Sequence, residues 1–511
     1  MFKKITACLL ALTLVFGAGA ISATEVLRET YLTASAETYG DYEYTVLGDG
    51  TVEIASYNGK DTEIEIPKKI EGKIVTSIGE KAFSSCKSLT RITIPNSVTR
   101  IGDNAFSFCT GMESITIPES VTSIGNKAFY WCASLTKITI PDSVTSIGEE
   151  AFFNCTGLMS ITIPDSVTNI GNGAFIFCSD LTSIVISKNV TNIGDYVFNG
   201  CTSLESITIP NGVTSIGDGA FEGCTSLTSI TIPDGVTSVG SMVFANCTAL
   251  TSITIPDSVA SIGTGAFRNT PWLDNKKNEN LLFIVNNILI SGQNCKGDVE
   301  IPDNVTCIGD YAFEGCADLT SVTIPESVKI IDVGAFVDCI GLTSIKIPDS
   351  VTSIGSGAFI GCTGLTKLTI GNSVEKIEDF AFVDCKKLTS VTIPKSVTNI
   401  NDNAFGYFGN NYNEKIKNFK IYCYKGTAGE QYAIDNKFDY ELLDSSDISK
   451  KGDINGDGTV NITDVTTLAA HVKGQKPLAD LTNADLNGDG KVNVADVTAL
   501  AAHVKGAKKL Q

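Results

Sequence analysis

The sequence predicts a repeat solenoid of short strands with an irregular or short-helical convex side, followed by a small all-α domain of two loop-and-helix units. Three observations predict it. Phenylalanine recurs every 23 residues from Phe83 to Phe405, at 14 of 15 lattice positions, and only Ile290 breaks the series. Each unit carries a segment such as Ile92-Thr93-Ile94, whose alternation with period two marks a short strand with one buried face. Near the C-terminus a 12-residue segment rich in Asp, Asn and Gly occurs twice, 32 residues apart.

At the N-terminus Lys3 and Lys4 precede an apolar run over 5–16 and then small residues, the order of a secretory signal peptide, so export is expected. Cleavage after Ala20 and after Ala36 both fit; residues 1–36 are assigned to the signal because strand pattern starts only around Tyr42. The run is shorter than the roughly 20 residues of a membrane helix, and no second run of that length follows, so no membrane span is expected. A formal net charge of −19 argues against nucleic acid, whose affinity comes from Lys and Arg neutralising phosphates. Residues 37–77 read as an N-terminal cap, with a hairpin of 42–46 and 51–54 around Gly48-Asp49-Gly50.

From Ile78 the unit is Ile-Gly-x-x-Ala-Phe-x-x-Cys-x-x-Leu-Thr-x-Ile-Thr-Ile-Pro-x-x-Val-Thr-x. Its proline ends the strand, since proline cannot donate to a ladder. One unit cannot offset a backbone ordering cost of roughly 1–2 kcal/mol per residue, but stacked units cover one another's apolar faces. The stretch 271–294 is irregular yet keeps register across it, so it reads as a modified repeat. Residues 406–443 read as a C-terminal cap, with strand, short helix and strand over 420–443. The unit resembles the leucine-rich repeat of bacterial surface proteins, the BspA-like or Treponema-type repeat, over 78–405. That resemblance implies extracellular adhesins or binding surfaces with no shared catalytic activity.

Twelve of the 16 cysteines stand on the same lattice, three residues after the Phe. Disulfides are one reading in an exported chain. Buried packing is the other and is preferred, because an identical position in every coil is what a packed interior produces. The outward strand positions form a ladder of Thr93, Thr116, Thr139, Thr162, Thr208, Thr231 and Thr254, which reads as ordinary solvent-facing strand. Phe108, Tyr130, Trp131, Phe153 and Phe177 fall between Phe and Cys in successive coils. They form a candidate apolar contact patch, against the alternative that this edge packs deeper in these coils.

After a polar linker, 444–451, the first loop places Asp453, Asn455, Asp457, Thr459, Asn461 and Asp464 at positions 1, 3, 5, 7, 9 and 12. The second places Asp485, Asn487, Asp489, Lys491, Asn493 and Asp496 there, and glycine holds position 6 in both. This spacing supplies the six to eight oxygens that calcium takes, with position 7 contributing its backbone carbonyl, so two calcium ions are expected. Helices are expected over 465–473 and 497–505, with Val465, Leu468 and Val472 on one face. No helix-length pattern precedes the first loop, so each unit is half of an EF-hand.

Residues 452–511 resemble a type I dockerin, a paired F-hand domain. That resemblance implies docking onto a cohesin domain of a scaffoldin in an extracellular or cell-surface cellulosome. Its partner-reading positions fall on Ile462, Thr463, Ala469, Ala470 and Gly474, and on Val494, Ala495, Ala501, Ala502 and Gly506. Residues 453–474 and 485–506 agree at 17 of 22 positions, so either helix could take the main contact. Many such proteins are glycoside hydrolases, but the segments outside repeats and dockerin are too short for a catalytic domain. Both histidines lie in the C-terminal module, which excludes His-dependent triads elsewhere. The expectation is a secreted, non-catalytic interaction or adhesion scaffold; the alternative is a component that binds or acts on polysaccharide. The ligand of the repeats, protein or polysaccharide, is not specified.

Overall fold

The computed structural model describes residues 37–409, 411–443, 452–455, 460–475, 477–478, 481, 483–486 and 491–505. Residues 1–36, where the sequence leads one to expect a signal peptide, lie outside them. The chain divides into two compact units, Met1–Gly212 and Val213–Gln511.

In the first unit the coils from Arg91 to Ile193 each give one strand of three residues and one of two, and these strands form parallel ladders. Ser114–Thr116 lies between Arg91–Thr93 and Lys137–Thr139, with Ile115 level with Ile92 and Ile138. A second ladder runs through Arg100–Ile101, Ser123–Ile124 and Ser146–Ile147. These two-residue strands are too short to leave an alternating pattern in the sequence. The turns are laddered too: Phe106 N–H donates to Ala128 O at 2.8 Å and Phe108 N–H to Tyr130 O at 2.7 Å. The spacing of 23 thus comes from backbone bonding around most of the coil.

Inside, Phe83, Phe106, Phe129, Phe152, Phe175 and Phe198 form one column of wholly buried rings, with centroids 5.2–5.8 Å apart and planes within 14°. Burying each ring stabilises the stack by about 1.5–3 kcal/mol. The glycine after Ile permits this spacing, because a Cβ at Gly171 would lie 2.4 Å from Glu149 N in the coil before. At the N-terminal end Tyr42–Val46 pairs antiparallel with Val52–Tyr57, which pairs parallel with Lys73–Ile78. Tyr57 packs 5.5 Å from Phe83, so the hairpin covers the end of the column and the sheet edge.

In the second unit Phe221, Phe244 and Phe267 stack at 5.5 and 6.0 Å, and Phe313 through Phe405 at 4.9–5.0 Å. Between them stand the helix Pro271–Glu279, N-capped by the Thr270 hydroxyl, and a hairpin of Phe283–Val285 with Ile288–Ser291. Register is kept across the stretch but not within it. Gly292, not Ile290, takes the lattice position: its amide donates to Ala312 O and its carbonyl accepts from the Cys316 thiol. Phe313 makes the same two bonds to Ala335 and Cys339. The intervals are therefore 25 and 21 residues in place of two of 23. A side chain is excluded here, since a Cβ on Gly292 would meet the Phe313 ring at 2.4 Å. Cys295, three residues on, then joins the cysteine ladder. At the far end Lys420–Tyr424 pairs parallel with Ser390–Thr392 and with Asp439–Leu443. Helix Ala428–Asp435 brings Tyr432 edge-on to Phe405 at 6.2 Å.

The C-terminal module packs helices Ile462–Val472 and Val494–Val504 around Leu468, Ala484, Leu486 and Leu500. Both helices begin three residues before the 465 and 497 that the sequence predicts. Asn461 and Asn493 act as N-caps and Asp464 and Asp496 close capping boxes, so the last loop positions are already the first helical turn.

Candidate calcium centre and contact surfaces

The two loops are held by the same contacts. The Asp464 carboxylate accepts from the Ile454 and Asn455 amides at 2.8 and 3.1 Å and from Asn461 N–H at 2.8 Å, which ties the end of the first loop to its start. Asp496 repeats this with Leu486 N–H at 2.8 Å and Asn493 N–H at 2.9 Å. Both carboxylates are fully buried, and Asp453 is only 2% exposed. Position 12 sits in the first helical turn, where the helix dipole favours negative charge, so Asp reaches the loop without the extra methylene of Glu. Asp485 is half-buried, and so are Asn455, Asn461 and Asn493.

Lys491 is exposed, consistent with a position that offers only its carbonyl. Asp457, Thr459, Asn487 and Asp489 lie outside the described residues. Without the two central carboxylates, no three His, Cys, Asp or Glu side chains among the described residues form a metal-binding group. Buried anionic carboxylates need amide donors or a cation beside them. The donor set of carboxylates and amide oxygens, with no thiol or imidazole, fits a hard cation such as calcium.

On the outside of the same helices, Ile462 is 60% and Val494 67% exposed, at equivalent positions one residue past each N-cap. Thr463 and Ala495 are also exposed, and Ala469, Ala470, Ala501 and Ala502 are half-buried. Gly474 follows the helix with φ +71°, the left-handed residue that ends a helix. Gly506 lies outside the described residues. His471 Nδ1 accepts from Leu478 N–H at 3.0 Å, which fastens the chain leaving the first helix.

The aromatic patch divides in two. Tyr130 and Phe153 are half-buried and stack on each other at 4.7 Å. Phe108, Trp131 and Phe177 are 41–47% exposed and hold φ of +57° to +60°. The equivalent residues in other coils are Ser85, Asn154, Gly200 and Asn246, also at positive φ. A side chain there costs roughly 1–2 kcal/mol, and Gly or Asn relieves it best. Backbone preference does not explain three aromatics at this position; Phe108 is edge-on to Tyr130 at 5.4 Å and Phe177 to Phe153 at 5.6 Å, so the two groups touch, but Phe108, Trp131 and Phe177 each remain more than two-fifths exposed. The sequence signal is their alignment with Gly and Asn in sister coils.

All the described lattice thiols are free. Cys109 donates to Phe83 O at 3.0 Å and Cys155 to Phe129 O at 3.1 Å, each reaching back to the preceding coil. Burial pushes the Cys155 and Cys201 thiols up to about 12, which suppresses the thiolate that disulfide chemistry needs. Cys86, in the first coil and half-buried, is the exception: the bond from Cys109 lowers it. No helix among the described residues is long and apolar enough to cross a membrane.

Residues 76–204, 168–296 and 291–412 match the family model described as BspA type leucine rich repeat region (6 copies), and residues 451–505 match the dockerin type I domain. Among solved structures, a leucine-rich repeat protein from Bacteroides ovatus is 29% identical, covering 80% of this chain and 100% of that one, with a TM-score of 0.43. A leucine rich cell surface protein from Faecalibacterium prausnitzii is 29% identical over 72% of this chain and 95% of its own, at 0.42. A leucine rich repeat protein from T. pallidum is 34% identical over 38% of this chain and 91% of its own, at 0.36. No curated protein matches the chain.

Proposed function

The chain belongs to the BspA-type leucine-rich-repeat family and ends in a type I dockerin domain, and on that premise we propose that it is a secreted, non-catalytic interaction protein anchored in a cellulosome-type assembly. Its repeats present a binding surface and its dockerin binds a scaffoldin cohesin in a calcium-dependent way. The observation that carries this reading is the pairing, in both helices, of a buried carboxylate at the third residue with an exposed β-branched residue at the first.

Type I dockerins are generally calcium-binding. Asp453, Asn455, Asp457, Thr459, Asn461 and Asp464 would hold one ion, and Asp485, Asn487, Asp489, Lys491, Asn493 and Asp496 a second. When bound, each ion supplies the positive charge that its cluster of carboxylates lacks. Asp464 and Asp496 fix loop to helix through their amide bonds, so ion and helix orientation are coupled. Ile462 and Val494 then lie ready for an apolar partner surface. Pull-down of the full chain on a panel of cohesin domains, with and without chelator, tests the reading. Capture only with calcium is expected; capture that persists in chelator would refute it.

A second reading, direct binding of polysaccharide, is favoured by one observation: Phe108, Trp131 and Phe177 stand exposed in a backbone conformation that disfavours them. Strain of this kind collects at ligand sites. Retention on cellulose or xylan that is lost in Trp131→Asn, with reducing-sugar release measured alongside, separates this reading from the first.

A further inference from the structure

We propose that the cleft at the break in the repeat lattice binds a single neutral sugar unit. The cleft, about 250 Å³, opens between the turn 263–269 and the turn 310–314 of the second unit. At about 30 Å³ per water it holds roughly eight waters, enough for one pyranose ring.

Its walls are two turns on either side of the irregular coil that carries Gly292. In the coil before, Met242, Phe244 and Asn246 donate their amides to Thr264, Ala266 and Arg268. At the break Gly265 N–H turns instead to the Asp310 carboxylate at 2.6 Å, and the amides of Phe267 and Asn269 make no ladder bond among the described residues. Arg268, Asn269, Gln293, Asp310 and Glu314 line the cleft, so it offers both donors and acceptors on flat bidentate groups. Leu273 and Ile290 supply an apolar wall on which the C–H face of a sugar ring can lie.

The charges disfavour an anion. Lys277 has Asp274 at 3.9 Å, and the Arg268 guanidinium stands 5.9 Å over the Tyr311 ring while attracting Asp310. Three carboxylates, Asp274, Asp310 and Glu314, face these two cations, so an anion is repelled. Burial lowers Lys277 and raises Asp310, so this wall is partly dry and its hydrogen bonds are strengthened. Side-chain carboxylates, amides and guanidinium, each with two donor or acceptor atoms, match vicinal hydroxyls. This inference does not depend on the dockerin reading; it gives the repeats a small-molecule site distinct from the aromatic patch.

The test is calorimetry and ligand-observed NMR on the full chain with glucose, xylose, galactose, mannose and cellobiose, with lysine and glutamate as charged controls. At least one sugar is expected to bind. Gln293→Ala and Asp310→Asn should each weaken it about tenfold, the loss of one strong hydrogen bond, with no fall in Tm and with cohesin capture retained. Asp310→Asn keeps an acceptor for Gly265 N–H, so the turn itself should survive. Binding of no sugar, preference for the amino acids, or sugar binding untouched by either variant would each overturn the proposal. Trp131→Asn should leave this binding unchanged; if it removes it, the site is the aromatic patch instead.

Discussion

The repeats and the C-terminal module are both built by copying a short unit, yet they treat buried polar groups in opposite ways. In the repeats the copied element is apolar, a ring between two rings, and the polar groups it carries inward are chiefly thiols and backbone bonded coil to coil, with a few hydroxyls such as Ser107 and Ser187. In the module the copied element includes a fully buried carboxylate, and the apolar core is a handful of residues around Leu468 and Leu500. The first kind of repetition is self-sufficient, because each copy completes its neighbour. The second leaves buried carboxylates whose charge a bound cation would balance, which makes it the natural place for a reversible attachment.

The largest effect expected from this contrast is the response to chelation. Removing calcium, or combining Asp453→Ala with Asp485→Ala, should abolish cohesin capture and the helical signal of the module. The thermal transition of the repeats should stay in place, as differential scanning calorimetry would register. A shared shift of both transitions would break the comparison.

Next comes the symmetry of the anchor. Ile462→Asp together with Val494→Asp should eliminate docking, while either change alone should cost about twofold, the statistical loss of one of two equivalent modes, read as a change in Kd. Complete loss from Ile462→Asp alone would show that only the first helix docks.

Within the repeats, Phe152→Ala should destabilise by about 3–5 kcal/mol in denaturant unfolding, because it opens a cavity in the ring column. Phe177→Gly, one coil further on, should instead stabilise by about 1 kcal/mol, because it removes a side chain from a left-handed backbone position. Two aromatics 25 residues apart thus carry opposite signs.

A smaller effect concerns Asp310, whose carboxyl is pushed up to about 6 by burial, with Asp332 adding to the rise and Gly265 N–H and Arg268 opposing it. Its folded value lies above the unfolded one near 3.8, so folding takes up a proton between the two. This contribution is full below pH 3.8 and is lost as pH rises through 6. Asp310→Asn should therefore raise Tm relative to the parent at pH 7.5, and the difference should shrink as pH falls and be smallest below pH 3.8. The smallest change is chemical: among the described thiols, Cys86 should be alkylated first in the native protein, and mass mapping of iodoacetamide adducts would show it.

Much of this was legible in the residues, for reasons particular to each. The lattice from Phe83 to Phe405 is visible because every coil packs against a copy of itself, so the same side chain meets the same need each time. The cysteine ladder could be read as packing on the same ground, and its free, raised thiols agree with that reading. The dockerin loops are visible because calcium coordination fixes both residue type and spacing. The shift from Ile290 to Gly292 was hidden, since no local pattern says which residue of an irregular coil bonds to Ala312. The helix starts at Ile462 and Val494 were placed too late because loop positions 10 to 12 serve as ligand segment and first helical turn at once.

What the sequence by itself determined is the period, the identity of the buried ring and the paired dockerin units, all set by local chemistry repeated. What only the tertiary structure decided is where repetition fails to close. That includes the left-handed aromatics at Phe108, Trp131 and Phe177, the side-chain-free lattice point at Gly292 and the cleft beside Asp310. Each depends on how one coil's backbone meets the next, and that distance is written in no single segment of the chain.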